Sequence, residues 1–422
     1  MHEIFHSVTL DKDKCKGCTN CIKNCPTQAI RVRNGKAKII KERCIDCGEC
    51  IRICPYHAKK AITDDMAVLK NFKYNIALPA PTFYGQFPNL TDINVLLNAL
   101  IKIGFNDVFE VSYAAQIITN ETRKLMESGE LEKPTINSAC PTVVKLISAR
   151  FPELINHILP VISPMNLAGR LARAIAKEHT GLSDGEIGVF FITPCAAKAT
   201  CAHAPIGTNN VYINGTFSIK DMYLKVRPYI NAKGAELELL KSDFGGICWA
   251  VSGGEASGLA TDNYIAVDGI HNVIEVMEAI EENKMGDIDF VEALACTGGC
   301  VGGPLNIENS FVAKGKIKKL SSSIKKKAQI PDSVDVMWDA SIVKRSPITL
   351  DDDIVVAMQK MEKMNSIYDD LPKLDCGSCG SPSCKALAED IVRGFAQETD
   401  CIFKLRERIS SLAQEMMNIE KH

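Results

Sequence analysis

The sequence predicts an α/β protein in three parts: a central two-lobed α/β domain, a cysteine-rich α+β domain before it and a small cysteine-rich domain after it. Three observations lead there. Cysteines recur at fixed short spacings over residues 15–54, a second group with different spacing lies at 376–401, and between them apolar strand-like runs alternate with amphipathic stretches. The expected boundaries are 1–65, 70–340 and 345–422. A chain of 422 residues, 46% hydrophobic, is long enough to bury more than one core. Its net charge of −2 gives no overall attraction to nucleic acid or to a membrane surface. The opening "MHEIFHSVTL" lacks a basic stretch followed by an apolar one, and no apolar run reaches the ~18 residues that span a bilayer. A cytoplasmic protein with no membrane span and no nucleic-acid partner is therefore expected. In a reducing compartment, eighteen cysteines point to metal or cluster ligation rather than to disulfides.

The first part carries Cys15-x2-Cys18-x2-Cys21-x3-Cys25-Pro26, repeated as Cys44-x2-Cys47-x2-Cys50-x3-Cys54-Pro55. This doubled pattern is the bacterial two-cluster ferredoxin run, in which the fourth cysteine of each motif ligates the other motif's 4Fe-4S cluster. Cys15, Cys18, Cys21 and Cys54 would hold one cluster, and Cys44, Cys47, Cys50 and Cys25 the other. Zinc is the competing ion for such thiols. Residues 1–60 hold thirteen Lys or Arg against six Asp or Glu, an excess that anionic clusters would compensate internally, the remaining lysines forming a solvated face.

In the central part, "YNIALPAP", "NDVFEVSY" and "IGVFFITPC" read as short buried strands and "MNLAGRLARAIAKEH" as an amphipathic helix. That alternation gives two α/β lobes, with ligand-binding loops expected at strand ends between them. The loop "ALACTGGCVGGP" packs Cys296, Cys300 and four glycines into twelve residues. Bare backbone there would let main-chain N–H groups of Gly299 and Gly302 approach a large bound group. Residues 314–327, "KGKIKKLSSSIKKK", hold seven lysines and read either as a solvated helix face or as a dock for an acidic redox partner. "AQIPDSVD" reads as a linker.

The last part places Cys376-x2-Cys379-x4-Cys384-x16-Cys401 inside "LPKLDCGSCGSPSCKALAEDIVRG". Gly377, Gly380 and Pro382 supply tight turns, and "CKALAEDIVRGFA" reads as a helix returning the chain to Cys401. The spacing resembles the single 4Fe-4S domain of corrinoid iron-sulfur proteins and of some membrane electron-transfer subunits; a zinc knuckle is the alternative. Beyond it, "IFKLRERISSLAQEMMNIEKH" sets Ile409, Leu412, Met416 and Ile419 at a/d spacing over about two heptads. That helix either packs on its own domain or pairs two copies of the chain through 402–422.

"NSACPT" around Cys140, "TPCAAK" around Cys195 and the glycine loop together resemble, in order and separation, the three signature loops of iron-iron hydrogenases. The resemblance covers roughly residues 75–310 and includes the preceding ferredoxin domain. It implies an H-cluster, a 4Fe-4S cubane bridged to a diiron subsite with CO, cyanide and a dithiolate. Its ligands would be Cys140, Cys195, Cys296 and Cys300, with Cys300 as the bridge. Lys198, three residues after Pro194-Cys195, would hydrogen-bond a cyanide, since a buried ammonium beside an anionic group offsets its desolvation. Ala80 and Pro81 match a pair that the family sets against the diiron site, and Glu292 falls on the third-loop motif. Glu121 corresponds to a relay glutamate.

The departures are as telling. Ala139 stands where catalytic members place a proton-relaying cysteine, and a methyl carries no proton where a thiol with pKa near about 8.5 does. Lys124 and Leu159 replace further relay positions, Thr193 and Leu294 replace methionines, and Ala197 replaces a serine. This pattern is similar to the divergent, hydrogen-sensing hydrogenases with an appended C-terminal 4Fe-4S domain. The expected function is slow, reversible H2 cleavage with a regulatory role. H2, protons, a ferredoxin-like or signalling redox partner and maturation enzymes are the implied partners. An electron-transfer or cluster-assembly protein with the same fold but no diiron subsite is the alternative. Trp249, in "GICWAVSGGE", lies near the cofactor or is an ordinary core Trp; Cys201 and Cys248 read as core thiols.

Overall fold

The computed structural model describes residues 5–230, 234–259, 261–344 and 349–419. The start of "MHEIFHSVTL" and residues 420–422, the end of the segment expected to pair two copies, lie outside them. Two compact units emerge: Met1–Val8, Ile45–Gly48 and Ala61–Arg345 form the larger, and Thr9–Cys44, Glu49–Lys60 and Ser346–His422 the smaller.

The larger unit is the α/β body. One four-stranded parallel sheet runs in the order Asp107–Val108, Tyr74–Pro79, Ile187–Thr193, Gly215–Ser218. All seven residues of Ile187–Thr193 are buried, as a parallel strand covered on both faces requires. Val189 and Phe191 join one apolar cluster with the helices Val111–Ser128 and Pro164–Thr180, while Phe190 and Ile192 join another with Ile93–Lys102 and Ile219–Ile230. The second sheet is also parallel, in the order Tyr264–Asp268, Phe290–Leu294, Thr135–Ile136. Val291 and Ala293 pack there against the helices Pro141–Arg150 and Ile270–Glu281.

Two stretches depart from expectation. "NDVFEVSY" is a strand only over Asp107–Val108, after which the chain enters the helix Val111–Ser128. Val111, Ala114, Ala115 and Ile118 already have helical spacing, and the buried Glu110 accepts hydrogen bonds from Ser242 N and Oγ, fastening the turn to another loop. "AQIPDSVD" is packed rather than a linker: Ile330 and Val334 lie on the first apolar cluster, and Gln329 O accepts from the Tyr113 hydroxyl at 2.7 Å.

In the smaller unit, Ile30–Arg33 and Lys36–Ile39 form an antiparallel hairpin, with the short helices Asn20–Lys23 and Glu49–Arg52 following the first cysteines of each motif. The helices Ile354–Asp370 and Cys384–Val392 enclose a small core of Met364, Ile367, Leu387, Cys384 and Cys401. The lysine-rich helix Ser310–Ser323, in the larger unit, buries Ala313, Ile317 and Leu320 and leaves its lysines largely outward, a solvated face. The terminal helix Ile402–Ile419 buries none of its residues. No helix among the described residues is long and apolar enough to cross a membrane.

Candidate metal centre and its cavity

Parallel strands deliver the central cysteines. Cys140 lies beyond Thr135–Ile136 and N-caps Pro141–Arg150, Cys195 follows Ile187–Thr193 and N-caps Ala196–His203, and Cys296 follows Phe290–Leu294. These are carboxyl ends of parallel strands, where α/β folds place their ligands. Thr193 fixes Cys195 on both sides, its Oγ1 accepting from Cys195 N at 3.0 Å and donating to Cys195 O at 3.1 Å. Asn306 donates to the carbonyls of Cys300 and Val301 at 2.9 and 2.8 Å. Gly298 and Gly299 adopt φ of 82° and 93°, a left-handed pair that turns the chain between Cys296 and Cys300. A Cβ on Gly299 would meet main-chain atoms of Val251 and Ser252, and one on Gly303 the carbonyl of Pro194. Bare backbone thus serves here to fold the loop tightly against its own protein neighbours.

The four thiols converge. Burial pushes the Cys300 thiol up to about 12, with Lys198 opposing and Cys140, Cys296 and Cys195 adding to the rise. Burial likewise takes Cys195 to about 11, with Cys140 adding to the rise, and raises Cys140. Thiolates this unfavourable without a cation suit iron, which replaces the proton and compensates the charge.

Beside the thiols opens a cavity lined by Ala80, Pro81, Thr82, Val111, Ala115, Ala139, Pro164, Phe191, Pro194, Lys198, Trp249, Glu255, Glu292, Leu294 and Cys300. Most of the lining is apolar. The Thr82 hydroxyl is buried without a partner, and the half-buried Lys198 puts a positive charge beside Cys300 and Glu255. An unsatisfied hydroxyl and a cation in an apolar chamber next to the thiols fit an anionic, polar-ligated metal group. Ala139 is on the wall, and Trp249 joins it, its Nε1 donating to Thr119 Oγ1 at 3.0 Å. Glu121 is not on the wall. It is buried on Val111–Ser128, where Lys124 donates to it at 2.9 Å, and Leu159 is fully buried in the apolar core. Cys201 is a core thiol, and Cys248, half-buried, donates to Ser321.

The residue that sequence reading missed is Glu255. It is buried, held by Asn137 Nδ2 to its Oε2 at 2.7 Å, and stands next to Glu292, which accepts from Gly253 N and Ala256 N at 3.0 and 2.8 Å. Burial, with the Glu292 charge second, pushes Glu255 up to about 8, and burial pushes Glu292 up to about 7. Both shifts run towards the protonated acid, the direction that a proton-holding pair needs. No signal within the loop marks it, since the partner that holds it, Asn137, lies 118 residues away.

In the smaller unit, Cys15, Cys18, Cys21 and Cys54 line one pocket, the set that the doubled motif assigns to a single cluster. Lys59 lines it too, 3% exposed and with no partner for its ammonium, as an anionic cluster would require. Main-chain N–H groups of Ala37, Ala29 and Ala58 donate to the sulfurs of Cys15, Cys25 and Cys54. Cys44, Cys50 and Cys25 belong to this unit and Cys47 to the larger one, where it packs on the same apolar cluster as Cys140. Gly48, next to Cys47, lies against Pro304 at the end of the glycine loop. Cys379, Cys384 and Cys401 share the small terminal core, and Cys376 is exposed at its edge.

Thiols at three parallel-strand ends around a capped chamber, with two further cysteine groups, define an α/β iron-sulfur protein. Comparison with known proteins narrows this. Residues 73–217 and 250–304 match the family described as iron only hydrogenase large subunit, C-terminal domain; residues 7–55 match a 4Fe-4S dicluster domain, and 371–403 an Fe-S cluster domain. The periplasmic Fe hydrogenase large subunit of Nitratidesulfovibrio vulgaris is 30% identical over 213 residues, 46% of this chain and 51% of that protein. Iron hydrogenase 1 of Clostridium pasteurianum is 23% identical over 391 residues, 75% of this chain and 68% of the relative. The chain thus spans about half the length of the first of these relatives. Two solved variants of the FeFe-hydrogenase HydA1 from Chlamydomonas reinhardtii align over 60% of this chain and 86% of theirs, at 15% identity and TM-scores of 0.47 and 0.48. The chain belongs to the iron-iron hydrogenase family.

Proposed function

We propose that the larger unit reversibly cleaves or forms H2 at a 4Fe-4S cubane joined to a diiron subsite, and does so slowly, as a hydrogen-responsive regulator. The observation that carries this reading is the chamber itself: Cys300 and Lys198 on one wall, and Ala139 where a relay thiol would stand. Cys140, Cys195, Cys296 and Cys300 would hold the cubane, with Cys300 facing the chamber. The bound group would supply an open iron position at which H2 splits heterolytically.

The chain's own residues do the rest. Lys198 offers its ammonium to an anionic ligand, and Ala80, Pro81, Phe191 and Leu294 keep water out. Ala139 offers no proton, and the wall's acidic groups are the Glu255–Glu292 pair, held together by Asn137 and the 253–256 backbone. Losing a positioned acid or base costs about 10²–10⁴ in rate, which supports a slow enzyme. The exposed a/d stripe of Ile409, Leu412, Met416 and Ile419 supports pairing of two copies. A cytoplasmic redox or signalling protein would take the electrons.

Infrared spectra of anaerobically matured protein test the reading. Bands of metal-bound CO and cyanide that shift under H2 are expected. Their absence, in a preparation whose maturation works on a control hydrogenase, would leave an iron-sulfur electron carrier without the diiron subsite.

A further inference from the structure

The smaller unit joins two segments that the sequence keeps far apart, and the joint is built from buried charge. Arg31 Nε and Arg33 Nη2, both from the hairpin strand Ile30–Arg33, donate to one oxygen of Asp390 at 2.6 and 2.8 Å, and Ser381 Oγ donates to the same oxygen at 2.8 Å. The Arg31 and Asp390 side chains are 6% and 5% exposed. Breaking such a buried, multiply bonded pair from one side leaves an uncompensated charge, so the joint is held as one piece. Arg43 pairs with Glu389 alongside.

The joint also places two ligand loops against each other. Val32 N donates to Gly380 O at 2.8 Å, and a Cβ on Gly380 would strike Val32 O, so only glycine lets the Cys376–Cys384 loop lie this close to the hairpin. Arg33 Nη1 donates to the Cys379 carbonyl at 2.9 Å. On the other side, a Cβ on Gly377 would sit 3.4 Å from Ile22 Cδ1 and 3.5 Å from Lys23 Cε. Ile22 is buried and follows Cys21 directly; Gly377 follows Cys376 directly. One isoleucine side chain therefore separates a ligand of the pocket formed by Cys15, Cys18, Cys21 and Cys54 from the ligand loop of the terminal cysteines.

Resting on the iron-sulfur reading of both cysteine groups, we propose that the terminal cluster is wired directly to the ferredoxin cluster on Cys15, Cys18, Cys21 and Cys54, across the contact of Ile22 with Gly377. One electron leaves the reduced ferredoxin cluster, which becomes oxidised, and enters the terminal cluster, which becomes reduced; no proton and no further reactant is needed. The terminal domain then reads the redox state of the ferredoxin clusters.

The test compares full-length anaerobic protein with a Cys376→Ser, Cys379→Ser variant. Iron is counted first. A difference of about four irons per chain between the two establishes the terminal cluster, and no difference refutes the cluster reading and the wiring with it. With that difference in hand, chemically reduced samples are compared by electron paramagnetic resonance. The expected result is spin–spin broadening and fast relaxation in the parent protein, reduced in the variant to what the two ferredoxin clusters produce between themselves. Identical broadening in both would overturn the wiring while leaving the terminal cluster in place. Should the variant not accumulate, pulsed dipolar measurement on partly reduced parent protein decides: a third spin centre without short-range coupling to a ferredoxin cluster overturns it equally.

Discussion

Replacing Glu255 with Gln isolates the energetic cost of the buried acid pair. In the folded chain Glu255 gives up its proton at about 8, against 4.5 for the free side chain. As pH rises from about 4.5 to about 8, the unfolded chain loses a proton that the folded chain keeps, so stability falls by ~1.4 kcal/mol per pH unit. Above pH 8 both states are ionised, and the folded one carries a buried carboxylate at full cost. The rise of Glu255 from 4.5 to about 8 corresponds to roughly 5 kcal/mol, a ceiling because Glu292 shares the titration. Glu255→Gln keeps the size and can still accept from Asn137, but it does not ionise. The two tryptophans, Trp249 and Trp338, both lie in the larger unit, so their fluorescence in the cluster-free chain follows that unit alone. Urea unfolding between pH 5 and pH 9 is expected to give parent and variant similar stabilities at the acid end. Towards pH 9 the variant should gain steadily, by up to ~5 kcal/mol. Parallel pH profiles for the two proteins would refute the reasoning, since they would mean that Glu255 ionises in the folded state as easily as in water.

Four other substitutions test separate parts of the site. Ala139→Cys should raise H2 turnover, by up to about 10²-fold, in gas-evolution assays of fully matured protein; an unchanged rate would show that the proton supply at this wall is not limiting. Lys198→Met removes the ammonium from the chamber, and loss of this half-buried charged hydrogen-bond donor at about 1.5–3 kcal/mol should weaken diiron retention by roughly 10–10²-fold, read from CO and cyanide band intensity per iron. Lys59→Met should lower the midpoint potential of the cluster on Cys15, Cys18, Cys21 and Cys54 in a redox titration, because the buried cation favours the more negative reduced state; an unmoved potential would mean that the ammonium does not face the cluster. Gly303→Ala drives a methyl into the Pro194 carbonyl and should destabilise the larger unit by about 1–3 kcal/mol in the same fluorescence assay.

What the sequence reveals about this molecule follows from how local each feature is. The doubled cysteine motif is legible because one cubane corner fixes three thiolates within seven residues, and the pocket shared by Cys15, Cys18, Cys21 and Cys54 follows that spacing. Ile187–Thr193 is legible because a strand buried on both faces must be apolar throughout. "NDVFEVSY" misleads because its apolar residues fit two periods, and a buried Glu110 bonded to residues far along the chain decides between them. Glu255 escapes for a related reason: its partner Asn137 is 118 residues away, and nothing in "SGGEASG" announces burial. The union of the terminal domain with the ferredoxin hairpin is still less visible, since Arg31 and Asp390 are separated by 359 residues.

That separation bears on how the protein is made. The hairpin bearing Arg31 and Arg33 leaves the ribosome early, whereas Ser381 and Asp390 follow only after the whole α/β body has been translated. At ~5–20 residues per second this is a delay of roughly 20–70 s. During that interval Arg31, destined for burial, and its neighbour Arg33 face water, and the first cysteine motifs stand ready for iron without their final neighbour. The smaller unit is therefore completed last, although its first half is synthesised first. Cluster insertion and the closing of the Arg31–Asp390 joint are then steps of one assembly sequence, in which the final eighty residues act as the seal.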